Sequence, residues 1–177
     1  MHANFLSPKA LVQADHTGRG SSARQPIAAG ETVAAFGGRC VTRSALGELS
    51  VEQQVGNVQI DDDLFLVSDH AGPGDPGSMI NHSCAPNCGL LGGVLVVAMR
   101  DIAAGERLSF DAAMCLGSDV NEFECGCGAP SCRRKVTGHD WMLPELQLAY
   151  RGWFSPYLAK RIAALVSTGA ERRAFAL

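Results

Sequence analysis

The sequence predicts a mainly β domain that carries a metal-binding loop and ends in short helices. Three observations carry that expectation. Short apolar runs bounded by Gly, Pro and Asp recur between residues 10 and 110, the pattern of many short strands joined by tight turns. A cysteine-rich segment follows, in which Cys125, Cys127 and Cys132 lie in C-G-C-G-A-P-S-C. From Leu143 onward the composition becomes helical.

A chain of 177 residues is long enough for one domain with a real core and a small appendage. With 46% apolar and 19% charged residues it is globular, not disordered. A net charge of −3 with no basic run argues against direct nucleic-acid binding. No stretch reaches the length of a membrane span, and residues 1–10 lack the apolar core of a signal peptide, so a cytoplasmic protein without a membrane partner is expected. Seven cysteines in a reducing compartment read as metal ligands or buried thiols before disulfides.

Residues 10–13 form a plausible first strand. Asp15 to Gly20 (D-H-T-G-R-G) follow as a Gly-rich turn. Ile27-Ala28-Ala29-Gly30-Glu31 then turns into a strand at Val33–Phe36, and a second copy, Ile102 to Leu108, repeats the form. Thr42 to Glu48 reads as a short helix. Val58–Ile60 and Leu64–Val67 flank three aspartates and read as a hairpin with a solvated acidic tip. Leu90–Met99 is one strand or two, broken near Gly92-Gly93, and Leu108–Phe110 is another. Two helices are expected at Leu143–Tyr150 and Pro156–Val166. Ser155 is placed to cap the second, Pro156 to start it and Thr168-Gly169 to stop it. Leu158, Ile162, Leu165 and Val166 share one face, away from Lys160 and Arg161.

Two segments carry chemistry. Cys125, Cys127 and Cys132 are brought together by the glycines after the first two and by Pro130, and structural zinc needs four such soft ligands. Cys40, Cys88 and Cys115 lack this spacing and read as ordinary thiols. The other segment is Asn81 to Cys88, N-H-S-C-A-P-N-C, which packs amide, imidazole, hydroxyl and thiol groups into eight residues. Buried, such groups require partners. N-H-S-C-x-P-N followed by C-x-C-x4-C resembles the SET-domain and post-SET signature of S-adenosylmethionine-dependent protein lysine methyltransferases.

That resemblance implies the SET β-fold, with a pseudoknot in which a C-terminal strand threads a preceding loop. It divides the chain into a SET domain (1–114), a post-SET zinc loop (115–137) and a helical extension (138–177). It supplies Cys84 as the fourth zinc ligand beside Cys125, Cys127 and Cys132. It places the adenosine part of S-adenosylmethionine against Asn81 and His82 and the methionine part against the loop His16, Gly18, Arg19 and Gly20. Met79 and Phe123 pack nearby. The implied partner is a protein lysine.

One position departs from the family. A pattern similar to L-T-F-D-Y reads L-S-F-D-A here, so Ala112 stands where the family has a tyrosine whose hydroxyl orients the attacking amine. The chain has only two tyrosines, Tyr150 and Tyr157, both in the C-terminal region; either is a substitute if that region folds over the channel. The alternatives are a small-molecule substrate in a widened pocket, or a cofactor-binding module without turnover.

Overall fold

The computed structural model describes residues 4–15, 18–50, 54, 56–68 and 79–174. A four-stranded antiparallel sheet runs in the order β1 (Phe5–Leu6), β4 (Thr32–Ala35), β10 (Leu95–Ala98), β9 (Cys88–Leu91). Its inner residues Val33, Ala34, Leu90 and Val96 are fully buried and seed the core. β9 and β10 are two strands of a hairpin, because Gly92 and Gly93 take φ of +61° and +85°, which strain any other L residue.

A three-stranded sheet in the order β5 (Arg39–Thr42), β7 (Leu64–Val67), β6 (Val58–Asp61) carries α1 (Arg43–Gly47). Thr42 is the N-cap of α1; its hydroxyl accepts from the Ala45 amide at 3.3 Å. The expected β6–β7 hairpin is present. Its acidic tip is not simply solvated, because Asp62 pairs with Arg161 at 2.6 Å. A separate small core of Val41, Leu46, Phe65 and Val67 holds this unit together.

The N-terminal region departs from expectation in two ways. A short strand, β1, precedes the expected first one. The G-x-G residues are not a turn: Gly18 and Gly20 lie in β3 (Gly18–Ala23), paired with Asp15 and Gln13 of β2 (Ala10–Asp15). The small size of Gly20 is used for close approach instead. A Cβ at Gly20 would lie 2.7 Å from the Asn81 side-chain nitrogen and 2.5 Å from the Arg107 guanidinium.

The two I-A-A-G-E turns pair with each other. Ile27 and Ile102 exchange backbone hydrogen bonds of 3.0 and 2.8 Å. In each turn the glutamate carboxylate accepts from the amide three residues earlier, Glu31 from Ala28 and Glu106 from Ala103. The repeat is therefore a matched pair of loops closing the core.

β8 (Asn81–His82) runs parallel to β11 (Ser109–Phe110), with Asn81 beside Ser109 and His82 beside Phe110. This pair brings the Asn81–Cys88 motif alongside Asp111 and Ala112. β12 (Phe123–Glu124) and β13 (Lys135–Val136) close the cysteine loop. Both expected helices exist, as α2 (Pro144–Ala149) and α3 (Pro156–Ala174). They share the main core through Trp141, Leu146, Tyr150, Phe154 and Leu158.

Three details of the helices are corrected. α3 runs past Thr168-Gly169, since one glycine weakens a helix without ending it. The Ser155 carbonyl takes the first helical bond, from Ala159 at 2.9 Å, but its buried hydroxyl has no hydrogen-bond partner among the described residues. The face rotation also differs. Leu165 and Val166 are exposed, whereas Arg161 lies over the Trp141 and Tyr157 rings and donates to the Gly117 carbonyl at 3.0 Å.

Candidate active site and metal centre

The sulfurs of Cys84, Cys125, Cys127 and Cys132 lie within 4.8 Å of one another. Cys84 comes from the bend after β8 and the other three from the loop between β12 and β13. The sulfur of Cys125 is 3.9 Å from that of Cys84 and 3.7 Å from that of Cys132. Tetrahedral zinc with Zn–S bonds of about 2.3 Å sets neighbouring sulfurs about 3.8 Å apart, so the donor set fits that metal. Burial pushes the Cys127 thiol up, but amide donors from Cys84 and Ala129 outweigh this and bring it down to about 6. Burial drives Cys125 up to about 12, with the neighbouring thiols adding to it. Leu116 and Val136 cover the cluster.

His82 links the cluster to the short helical turn after β11 that Ala112 opens. Its Nδ1 accepts from the Ala112 amide at 3.2 Å, which leaves the proton on Nε2, 3.4 Å from the Cys84 sulfur. Burial lowers the imidazole's pKa, partly offset by Asp111. Both ring nitrogens are thus engaged inside the protein. The ring meets Phe123 edge-on, with centroids 5.2 Å apart.

Beside the cluster lies a cavity of about 1360 Å³. Ile80, Asn81, His82 and Phe123 line it on the side of the motif, and Phe110, Ala112, Cys115 and Leu116 line another wall. Gln59, Asn57 and Asn121 bring amides from β6 and from the segment before β12. Asn57 and Asn121 pair across the chain, with bonds of 2.8 and 3.3 Å, and Gln59 accepts from Gly117 and Ser118. These contacts tie the segment 117–121 to β6 and hold Asn121 at the cavity.

The residues assigned to the cofactor divide into groups. Asn81, His82 and Phe123 line the cavity. Arg19 and Gly20 sit behind Asn81: the Asn81 amide donates to the Arg19 carbonyl at 2.9 Å, and Gly20 leaves it room. Met79 is joined to β3 through its carbonyl, which accepts from Ser21 at 2.9 Å. Gly18 begins β3, two residues before Gly20. His16 lies outside the described residues.

Neither tyrosine reaches the cavity. The Tyr150 hydroxyl donates to Asp111 at 2.9 Å, and the Tyr157 hydroxyl donates to the Cys115 carbonyl. Both rings sit in the core, on the far side of the segment 111–117 from the open space, because α2 and α3 pack there. Ala112 therefore has no phenol beside it among the described residues.

The sequence reading missed the group behind Ala112. Asp111 is fully buried and accepts two bonds of 2.7 Å from the Arg133 guanidinium. Arg133 also donates its Nε–H to Asp140 at 2.7 Å. Burial opposes the guanidinium's charge, yet the two carboxylates raise its pKa further. The only sequence signal was that Asp111 lies inside the L-S-F-D stretch; nothing local marks Asp140.

The SET domain family model matches residues 18–111, just over half of the chain. The chain belongs to the SET domain family. It is similar to human histone-lysine N-methyltransferase 2B, at 34% identity over 66% of this chain and 5% of that protein. It is also similar to the probable histone-lysine N-methyltransferase set-23 of Caenorhabditis elegans, at 31% identity over 66% of this chain and 54% of that protein. The chain thus spans about half, or far less, of these relatives. Its fold resembles that in the crystal structure of KRYPTONITE in complex with mCHG DNA and SAH, with a TM-score of 0.56 and 23% identity over 73% of this chain and 29% of that one. No helix among the described residues is long and apolar enough to cross a membrane.

Proposed function

We propose that the chain transfers a methyl group from S-adenosylmethionine to the side-chain amine of a lysine in a protein. The observation that carries this is that Asn81 and His82, Ala112 and Phe123, from three separate segments of the chain, line one cavity beside the four-cysteine cluster. The names of the relatives, histone-lysine N-methyltransferases, favour a lysine substrate, and the SAH in the KRYPTONITE structure favours this cofactor.

The cofactor, when bound, supplies a sulfonium that makes its methyl group electrophilic. The chain's own residues then have to bind and align. Asn81 offers an amide at the cavity edge, with Arg19 and Gly20 behind it. His82 contributes its ring face and its backbone, because both its nitrogens are engaged elsewhere. Phe123 covers it. Cys84, Cys125, Cys127 and Cys132 would hold zinc and fix the loop that carries Phe123. Methyl transfer is an in-line displacement, so alignment supplies much of the rate. The side chain of Ala112 can neither donate nor accept a hydrogen bond, and orientation of the amine falls to the shape of the cavity.

The same alanine supports a second reading, in which the widened space beside Ala112 takes a small molecule. A single experiment separates these readings. The protein is incubated with S-adenosylmethionine carrying a labelled methyl group, together with histone peptides, other lysine peptides and a panel of small amines and acids, and products are read by mass spectrometry. Label on a lysine ε-amine supports the first reading and label only on a small molecule supports the second. Binding of S-adenosylhomocysteine with no labelled product leaves a binding module without turnover.

A further inference from the structure

We propose that the C-terminal helical extension is a working part of this site: Asp140 and Tyr150 are positioning residues that lock Arg133 onto Asp111 and so hold the cysteine loop against the cavity wall at Ala112. This rests on the metal and cofactor reading above.

The bonds can be followed atom by atom. Two carboxylate oxygens offer about four acceptor positions. At Asp111 they are filled by four donors: Arg133 Nη2 and the Ala113 amide on Oδ1, at 2.7 and 2.9 Å, and Arg133 Nη1 and the Tyr150 hydroxyl on Oδ2, at 2.7 and 2.9 Å. Tyr150 therefore supplies the last of them. Asp140 takes the remaining edge of the guanidinium through Nε and is itself held by the Thr137 hydroxyl at 2.7 Å. Without Asp140 the Nε–H would be buried with no acceptor, and the fork would be free to swing.

Arg133 also follows Cys132 directly. Its backbone amide points at the Cys84 sulfur, 3.4 Å away. The cluster is thus tied to the strand end at 111–112 by two routes. One runs from Cys84 through His82 to the Ala112 amide. The other runs from Cys84 and Cys132 through Arg133 to Asp111. Asp140 and Tyr150 act only on the second route, and neither touches the cavity or the cysteines.

Packing alone does not account for the hydroxyl of Tyr150. Its ring lies 6.3 Å from that of Phe154 in the core, where a phenylalanine would fill the same space. Tyr157 gives an internal control. It lies in the same extension, is also buried, and donates its hydroxyl to the Cys115 carbonyl, outside the Arg133 route.

The test compares Tyr150→Phe, Asp140→Asn and Tyr157→Phe with wild type in the full chain. Three measurements are made: metal release to a chromogenic chelator, affinity for S-adenosylhomocysteine by calorimetry, and amide hydrogen exchange resolved by segment. Tyr150→Phe and Asp140→Asn are expected to release metal about fivefold to tenfold faster. They should also raise exchange in residues 125–136, a segment Tyr150 does not touch. Tyr157→Phe should raise exchange near 115–118 and leave metal release unchanged, even where its Tm falls as far. The proposal is overturned if Tyr150→Phe and Asp140→Asn match wild type in both readouts, or if Tyr157→Phe speeds metal release equally. Should Tyr150→Phe not fold, Asp140→Asn decides alone. A wild-type protein that fails to bind S-adenosylhomocysteine removes the cofactor reading but not the coupling. One that holds no metal removes the zinc reading, and the exchange data then decide the coupling.

Discussion

At one end of the cavity four thiols converge to within 4.8 Å, in the arrangement one metal ion requires. Ala112 packs beside them and presents a methyl group to the cavity, and neither Tyr150 nor Tyr157 lines the cavity there. The metal end and the alanine end of this wall lie on the same β8–β11 framework, yet they answer to different physics. A tetrahedral thiolate site needs all its ligands, because losing one leaves the others unbalanced and the loop untied. Position 112 bounds open space, and its methyl group packs only on the edge of the small core of Cys84, Leu116, Cys125 and Val136. On the proposed function it would tune a rate more than hold the fold, which fits an alanine there beside an intact framework.

Breaking the metal end should have the largest effect. Metal binding at such sites contributes on the order of 10 kcal/mol of apparent folding free energy in small domains. The main core contains none of the four clustered cysteines, so Cys84→Ser or Cys127→Ser should leave a folded β core with a loosened loop. Metal content should fall from about one equivalent to a small fraction of it, with cofactor affinity lost alongside. Elemental analysis and calorimetry on each variant check this. Unchanged affinity in metal-free Cys127→Ser would separate the two ends altogether.

Removing Arg133 tests the tie between them. Arg133→Met leaves Asp111 fully buried without its cationic partner, and breaking such a pair costs about 3–5 kcal/mol. For a chain of this size that corresponds to a fall in Tm of roughly 10 °C. Thermal unfolding measures it. A shift under about 2 °C would mean that the buried aspartate finds another arrangement, such as protonation.

Ala112→Tyr sharpens the comparison from the other end. A positioned orienting or proton-handling group is worth about 10²–10⁴ in rate. If the cavity is a lysine channel, the added phenol should raise methyl transfer to a lysine peptide by that order, with metal content unchanged. If the space holds a small molecule, the phenol fills it and native turnover falls, as overpacking does in any close-fitting site. Turnover of both proteins on both substrate classes decides.

The two ends also differ in how legible they were. The cysteine cluster was readable because coordination demands particular residue types at short spacing, and a family motif supplied the distant Cys84. Strands were readable where apolar runs were long enough, as in β4, β7 and β10. β3 was not, since Gly-Arg-Gly-Ser-Ser-Ala lacks apolar alternation and is set by its pairing with β2. The Asp111–Arg133–Asp140–Tyr150 group was invisible for a different reason. Its members lie up to 39 residues apart, and each is an ordinary residue in its own segment. Only packing of α2 against the core brings them together. Arg161 was misplaced on the same ground: helical periodicity marks it as polar, whereas two aromatic rings and the Gly117 carbonyl give it a half-buried seat.

The smallest expected effect lies at the cofactor edge, where Asn81 and Gly20 meet. Asn81→Ala removes an amide at the cavity wall; loss of one buried partner costs about 1–3 kcal/mol, so affinity for S-adenosylmethionine should fall roughly tenfold to a hundredfold. Gly20→Ala acts differently. Its new Cβ would lie 2.7 Å from the Asn81 amide nitrogen and 2.5 Å from the Arg107 guanidinium. Both are ends of flexible side chains, so they swing aside and β3 stays paired. The cost should be a several-fold loss of affinity, carried by the displaced Asn81 amide. If so, the two changes are not additive: Gly20→Ala on an Asn81→Ala background has no amide left to displace, and the double variant should bind as weakly as Asn81→Ala alone. Calorimetry on the four proteins gives the coupling directly. Additive losses would show that Gly20 serves the cofactor through its own backbone approach, and Asn81 would then be one contact among several and not the group that the β2–β3 hairpin is shaped around.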